Sequence, residues 1–99
     1  MMTTNFQMLK QLNKEFDPVN RGFLSGEEVQ MIKEILCIEE RTSVLDLRNL
    51  RDFTVMFFQN IKHSLDRDED YDAWFKISDK VSGITAVIDH RIFDLGGEV

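Results

Sequence analysis

Cys37, His63 and His90 carry the most reactive side chains in this chain, and their spacing organises none of them into a site. Neither histidine has a second histidine or a cysteine at the separation that binds a transition metal. Each falls opposite the apolar stripe of its segment, where an imidazole is solvated. Cys37 stands among Ile35, Leu36 and Ile38, the setting of a buried, inert thiol. A Cys37–His63 nucleophile pair is the one catalytic combination on offer, and no motif supports it. Glycine-rich phosphate loops, zinc spacings and a Gly-x-Ser-x-Gly elbow are absent. The expectation is a protein that is not an enzyme, with no catalytic residue, no metal ligand set and no cofactor.

The densest charge lies in Asp66, Asp68, Glu69, Asp70 and Asp72, five carboxylates answered within the segment only by Arg67. Such a run can hold a hard cation, or it can face a basic protein. It also suits the first turn of a helix, where carboxylates complement the dipole and Asp68 or Asp70 can cap orphaned backbone N–H groups. The helix-starting reading is the stronger one, because charge runs are usually solvated faces.

The segment Phe16-Asp17-Pro18-Val19-Asn20-Arg21-Gly22-Phe23-Leu24-Ser25-Gly26-Glu27-Glu28 resembles the calcium loop of EF-hand proteins. Asp17 matches position 1, Gly22 the sharp turn at 6, Leu24 the apolar anchor at 8, Ser25 position 9 and Glu28 the bidentate ligand at 12. What the resemblance implies is a helix–loop–helix regulator that binds calcium. Two positions depart from it. Val19 offers no oxygen at position 3, and Arg21 sets a cation at position 5, which removes two ligands and adds repulsion. The segment reads as a helix–turn–helix connection that shares turn chemistry.

The elements around these residues are helical. Thr4 and Gln7 have the spacing of a capping box, and Phe6, Leu9, Leu12 and Phe16 give an apolar side to a first helix from about Asn5 to Phe16, closed by Pro18. Ser25 and Glu28 form a second box, with Leu24 and Val29 placed as a hydrophobic staple. That helix runs from about Gly26 to Glu39, with Val29, Ile32, Ile35 and Leu36 on its face and Met31 and Ile38 beside it. A third begins at Ser43, with Asp46 at the box position, and reaches about Leu65. Its stripe is Leu47, Leu50, Thr54, Phe57, Ile61 and Leu65. A fourth runs from about Asp70 to Phe93 with the stripe Trp74, Ile77, Val81, Ile84, Ile88, Ile92 and Leu95, and Gly96-Gly97 ends it.

Two long helices with matching stripes and a short polar link fold back as an antiparallel hairpin. The expected fold is therefore all-α: one domain over residues 1–99, a small bundle of about four helices built on that hairpin. The alternative is an α+β fold with a short strand near residues 84–88, where β-branched residues follow Gly83.

Composition limits the functions open to such a domain. At 99 residues it buries about two-thirds of the surface its unfolded chain exposes. Association is a common remedy for so thin a margin. A net charge of −6 argues against direct binding to nucleic acid or anionic lipid. One cysteine allows no internal disulfide and points to a reducing, cytoplasmic setting. The first residues lack the basic flank and apolar run of a signal peptide, and no stretch is apolar for long enough to span a membrane.

Some apolar residues exceed what a core needs. Leu45 and Met56 project opposite the third helix's stripe, while Phe53, Val55 and Phe58 widen it. Phe75, Ala86 and Phe93 draw a second line on the fourth helix. The leading expectation is a non-enzymatic module that binds a partner protein, as a homodimer or higher oligomer. Its contact residues would be Leu45, Met56, Phe75 and Phe93, with Asp66, Asp68, Glu69, Asp70 and Asp72 tuning specificity. Two alternatives stand beside it: an acidic stoichiometric inhibitor that mimics nucleic acid toward a basic protein, and a degenerate EF-hand-like regulator.

Overall fold

The computed structural model describes residues 5–15 and 25–97. Within them lie four α-helices: α1 (Asn5–Glu15), α2 (Gly26–Ile35), α3 (Val44–His63) and α4 (Tyr71–Asp94), with a 3₁₀ turn at Ile38–Glu40. No strand occurs among the described residues, so the fold is the all-α bundle expected. The segment 84–88 is continuous helix. Its β-branched residues are tolerated because Ile84, Val87 and Ile88 are buried, and packing outweighs their small loss of helix propensity.

The starts obey local chemistry. The Ser25 hydroxyl accepts from the Glu28 N–H at 3.2 Å and donates to Glu28 Oε1 at 3.2 Å. The Ser43 hydroxyl accepts from the Asp46 N–H at 3.2 Å. The Thr4 box, Pro18 and the Leu24 half of the staple lie outside the described residues. At the far end, Gly96 takes φ +81°, and its N–H bonds the Phe93 carbonyl at 2.9 Å while that of Gly97 bonds the Ile92 carbonyl at 2.9 Å. This pair of bonds is the Schellman closure. Gly97 must be small, because a Cβ there would stand 2.8 Å from Ile92 Cγ2 and 3.0 Å from Val44 Cγ1.

α3 and α4 form the antiparallel hairpin and share the most extensive packing in the fold. Val44 sits beside Gly97, Arg51 beside Asp89 and Lys62 beside Ser78. α1 lies against α3, α2 against α4, and the two short helices touch each other. Leu9, Leu12, Ile32 and Leu36 are sealed between them and the hairpin's Leu47, Leu50, Ile84 and Ile88.

Three expectations need correction. The third helix's stripe passes through Phe58, which is fully buried, and not Phe57, which is half-buried. Eleven residues after Leu47 brings Phe58 only about 20° from it, whereas Phe57 swings toward Phe6 of α1, 5.3 Å away edge to face. Next, α2 stops at Ile35, not near Glu39. Cys37 takes the left-handed conformation (φ 53°, ψ 40°), and the chain turns there. The same turn leaves Cys37 exposed while Ile38 folds back into the core, so the buried thiol is the third correction.

Candidate functional site

Three backbone carbonyls, one carboxylate and two guanidinium groups hold the connection between α2 and α3. Arg41 Nε donates to the Leu36 carbonyl at 2.9 Å, and its Nη1 pairs with the Asp46 carboxylate in the first turn of α3. Arg91 of α4 donates to the carbonyls of Arg41 at 3.2 Å and Glu39 at 3.1 Å. Beside this clamp is an open depression of about 500 Å³ lined by Met8, Gln11, Ile35, Cys37, Glu40, Arg41 and Asp46. It contains the one cysteine, but His63 is at the opposite end of α3, roughly 25 Å along the helix from Asp46. The Cys37–His63 pair is therefore not assembled. His90 is exposed and stands 3.6 Å from the Asp94 carboxylate, one turn on.

The acidic segment is ordered by its own carboxylates. Asp66 Oδ1 accepts from the N–H groups of Asp68 at 2.8 Å and Glu69 at 3.1 Å, while Asp70 Oδ2 accepts from the Asp66 N–H at 3.0 Å. The expected cap was Asp68 or Asp70. The structure gives the capping to Asp66 instead, and Asp70, though at the N-cap of α4, makes no side-chain bond to that helix. Chain geometry explains the shift: residues 67–70 form a turn ahead of α4, and its N–H groups point back at Asp66. Every residue from Asp66 to Asp72 is exposed. Among the described residues, no three His, Cys, Asp or Glu side chains converge as a metal-binding group.

Next to that turn, the Lys62 ammonium lies 4.0 Å from the centre of the Trp74 ring and donates to the Ser78 hydroxyl at 2.9 Å. Arg67 approaches the same ring at 5.2 Å. These cation–π contacts fasten the turn end of the hairpin. They also bring together the last turn of α3, the acidic turn and the first turns of α4, where Tyr71 and Phe75 pack at 5.3 Å.

The four apolar residues expected to make contact, Leu45, Met56, Phe75 and Phe93, all face outward, whereas Phe53 and Val55 are half-buried and Phe58 belongs to the core. Leu45 is 69% exposed, Met56 53%, Phe75 48% and Phe93 70%. They do not form one patch. Leu45 and Met56 are about 16 Å apart along α3, with exposed Asn49 and Asp52 between them. On α4, by contrast, Phe75, Ala86 and Phe93 share one line that Tyr71 extends, all of them exposed. The structure also exposes Phe6, against Phe53 and Phe57.

Sequence reasoning missed Lys80 and the two arginines. Lys80 is buried, with its ammonium 5.8 Å from the Phe58 ring centre. The signal available was its place three residues after Ile77 and four before Ile84, on the core side of α4. The carbonyls that Arg41 and Arg91 bind come from a connection whose path the sequence does not reveal. Of the EF-hand-like loop, 16–24 lies outside the described residues. Glu28, at its last position, is buried and engaged at the start of α2.

Fold and surface define a small all-α bundle. No helix among the described residues is long and apolar enough to cross a membrane. Compared with known protein families, curated proteins and solved structures, the chain matches none of them.

Proposed function

We propose that this protein is a non-enzymatic interaction module of the cytoplasm that works by binding another protein chain and itself associates as a homo-oligomer. The observation that carries the reading is the outward placement of Leu45, Met56, Phe75 and Phe93 in a domain already supplied with a closed core. Large apolar side chains held in water lose the free energy that burial returns, about 1.5–3 kcal/mol for each one fully covered. Of the four, the pair on α4 offers the most continuous surface. The test is sedimentation of the purified chain together with capture of bound proteins from the native cell. Association that Phe75→Ser and Phe93→Ser abolish supports the reading; a strict monomer with no bound protein contradicts it.

A second reading takes the acidic turn as a ligand for a basic protein. Four exposed carboxylates on a turn fixed by internal hydrogen bonds, with Asp72 beside them in the first turn of α4, favour it, since charge held in place is presented at a reduced ordering cost. It predicts salt-sensitive binding to a basic protein, lost when Asp66, Asp68, Asp70 and Asp72 are changed to Asn. Unchanged affinity in that variant removes it.

A further inference from the structure

The outward side of α4 has a symmetry about its middle. Phe75 and Phe93 each stand nine residues from Ile84, and Ser82 and Ala86 each stand two residues from it. All four are exposed. Their successive steps of seven, four and seven residues keep them on one line of the helix, the spacing by which helices pair along a seam. A line that reads the same from either end is what a twofold pairing of antiparallel helices requires, because each position meets its mirror position. The small Ser82 and Ala86 let two backbones approach at the centre, and an aromatic ring closes each end.

We propose that the occupant of this face is a second copy of the chain, its α4 packed antiparallel against the first about a twofold axis at the level of Ile84. The proposal rests on reading the exposed apolar residues as a contact surface, and it names their partner. Phe75 of one copy covers Phe93 of the other, twice.

Charge agrees with this register. Lys76 and Asp94 are eighteen residues apart, which is five full turns, so they share a flank of the line. Antiparallel pairing brings like flanks together. Lys76 then comes within about 3 Å in height of Asp94 on the second copy, and Asp79 within about 1.5 Å in height of His90. The mirror also sets Asp79 level with Asp89, but Asp89 is already matched by Arg51, whose Nε is 2.8 Å from its Oδ1. Asp89 also lies about 80° round the helix from Asp79, on the other flank of the line, so the two carboxylates do not face each other. A parallel pairing stacks the two acidic turns Asp66–Asp72 side by side; the antiparallel one holds them roughly 40 Å apart.

The test uses full-length chains carrying Cys37→Ser. Chains with Phe75→Cys are mixed with chains carrying Phe93→Cys and oxidised, and self-association is measured by sedimentation equilibrium for Lys76→Glu, Asp94→Lys and the two together. The expected result is a disulfide dimer from the mixture and from neither variant alone. Each charge variant weakens association about tenfold, and the double exchange restores it. A cross-link from Phe75→Cys alone overturns the proposal in favour of a parallel pair. Association that survives Ala86→Glu, with helix content intact, overturns it in favour of another face and leaves the contact reading standing. A wild-type chain that stays monomeric overturns it too, and capture of a different protein decides the contact reading separately.

Discussion

Arg91 and Arg41, fifty residues apart in the chain, are joined by a hydrogen bond from the Arg91 Nε to the Arg41 carbonyl at 3.2 Å. Through it the last helix holds the connection between α2 and α3, and Arg41 in turn ties Leu36 to Asp46. Arg91→Ala should lower stability by about 1–2 kcal/mol, the usual worth of a lost pair of such bonds to a partly covered charged group. Arg91→Lys should recover little, since a point charge cannot reproduce the guanidinium fork. Urea unfolding of the three proteins measures this; equal midpoints for wild type and Arg91→Ala remove the clamp from the account.

Cys37 should be replaceable with a gain. Its left-handed backbone (φ 53°) costs an L-residue about 1–2 kcal/mol that glycine does not incur. Against this stands the greater freedom of glycine in the unfolded chain. The net expectation for Cys37→Gly is a rise of about 0.5–1 kcal/mol, and for Cys37→Val a fall, because a β-branched residue fits that conformation worst. Thermal melting under reducing conditions decides it, and a lower melting temperature for the glycine variant contradicts the backbone assignment.

The acidic turn should respond unevenly to substitution. Asp66→Ala removes the acceptor for two backbone N–H groups and should cost about 1 kcal/mol, as loss of a cap does. Glu69→Ala should change stability by less than about 0.5 kcal/mol, as at most exposed positions. Denaturant midpoints for the two single variants check the ranking, and the reverse order contradicts it.

Phe58 and Phe57 separate the true stripe from the apparent one. Phe58 is fully buried, so Phe58→Ala should cost about 3–5 kcal/mol. In a domain of this size that is a large share of the total stability, about 5–15 kcal/mol. Phe57→Ala should cost clearly less, because its ring is only half-covered. Equal losses would place both rings in the core.

What the sequence made legible was local. Ser25, Ser43 and Gly96-Gly97 mark helix ends through bonds that span only three to five residues, and each lies where its spacing placed it. The hairpin followed from two apolar periods of equal length. The exchange of Phe57 for Phe58 was not legible, because both are apolar and only the position of α1 decides which one meets the core. Nor was the turn at Cys37, where an apolar run through Ile38 suggests more helix while the backbone breaks it. The role of Asp66 was hidden because the turn before α4 has backbone donors of its own, which no helix-start spacing marks. The burial of Lys80 was not legible either, because a lysine's charge favours the surface while its long apolar stem can lie along a core. The outward residues of α3 and α4 were identified from periodicity alone, since facing away from a stripe depends on nothing but helical pitch.

The outer face of α4 is the contact surface proposed for this domain. Sedimentation equilibrium over a wide concentration range, run on the wild type and on the Ala86→Glu variant, tests it most directly. The wild type should approach the mass of two chains, and the variant, with unchanged helix content, should keep the mass of one. A wild type with the mass of one chain at every concentration would contradict it.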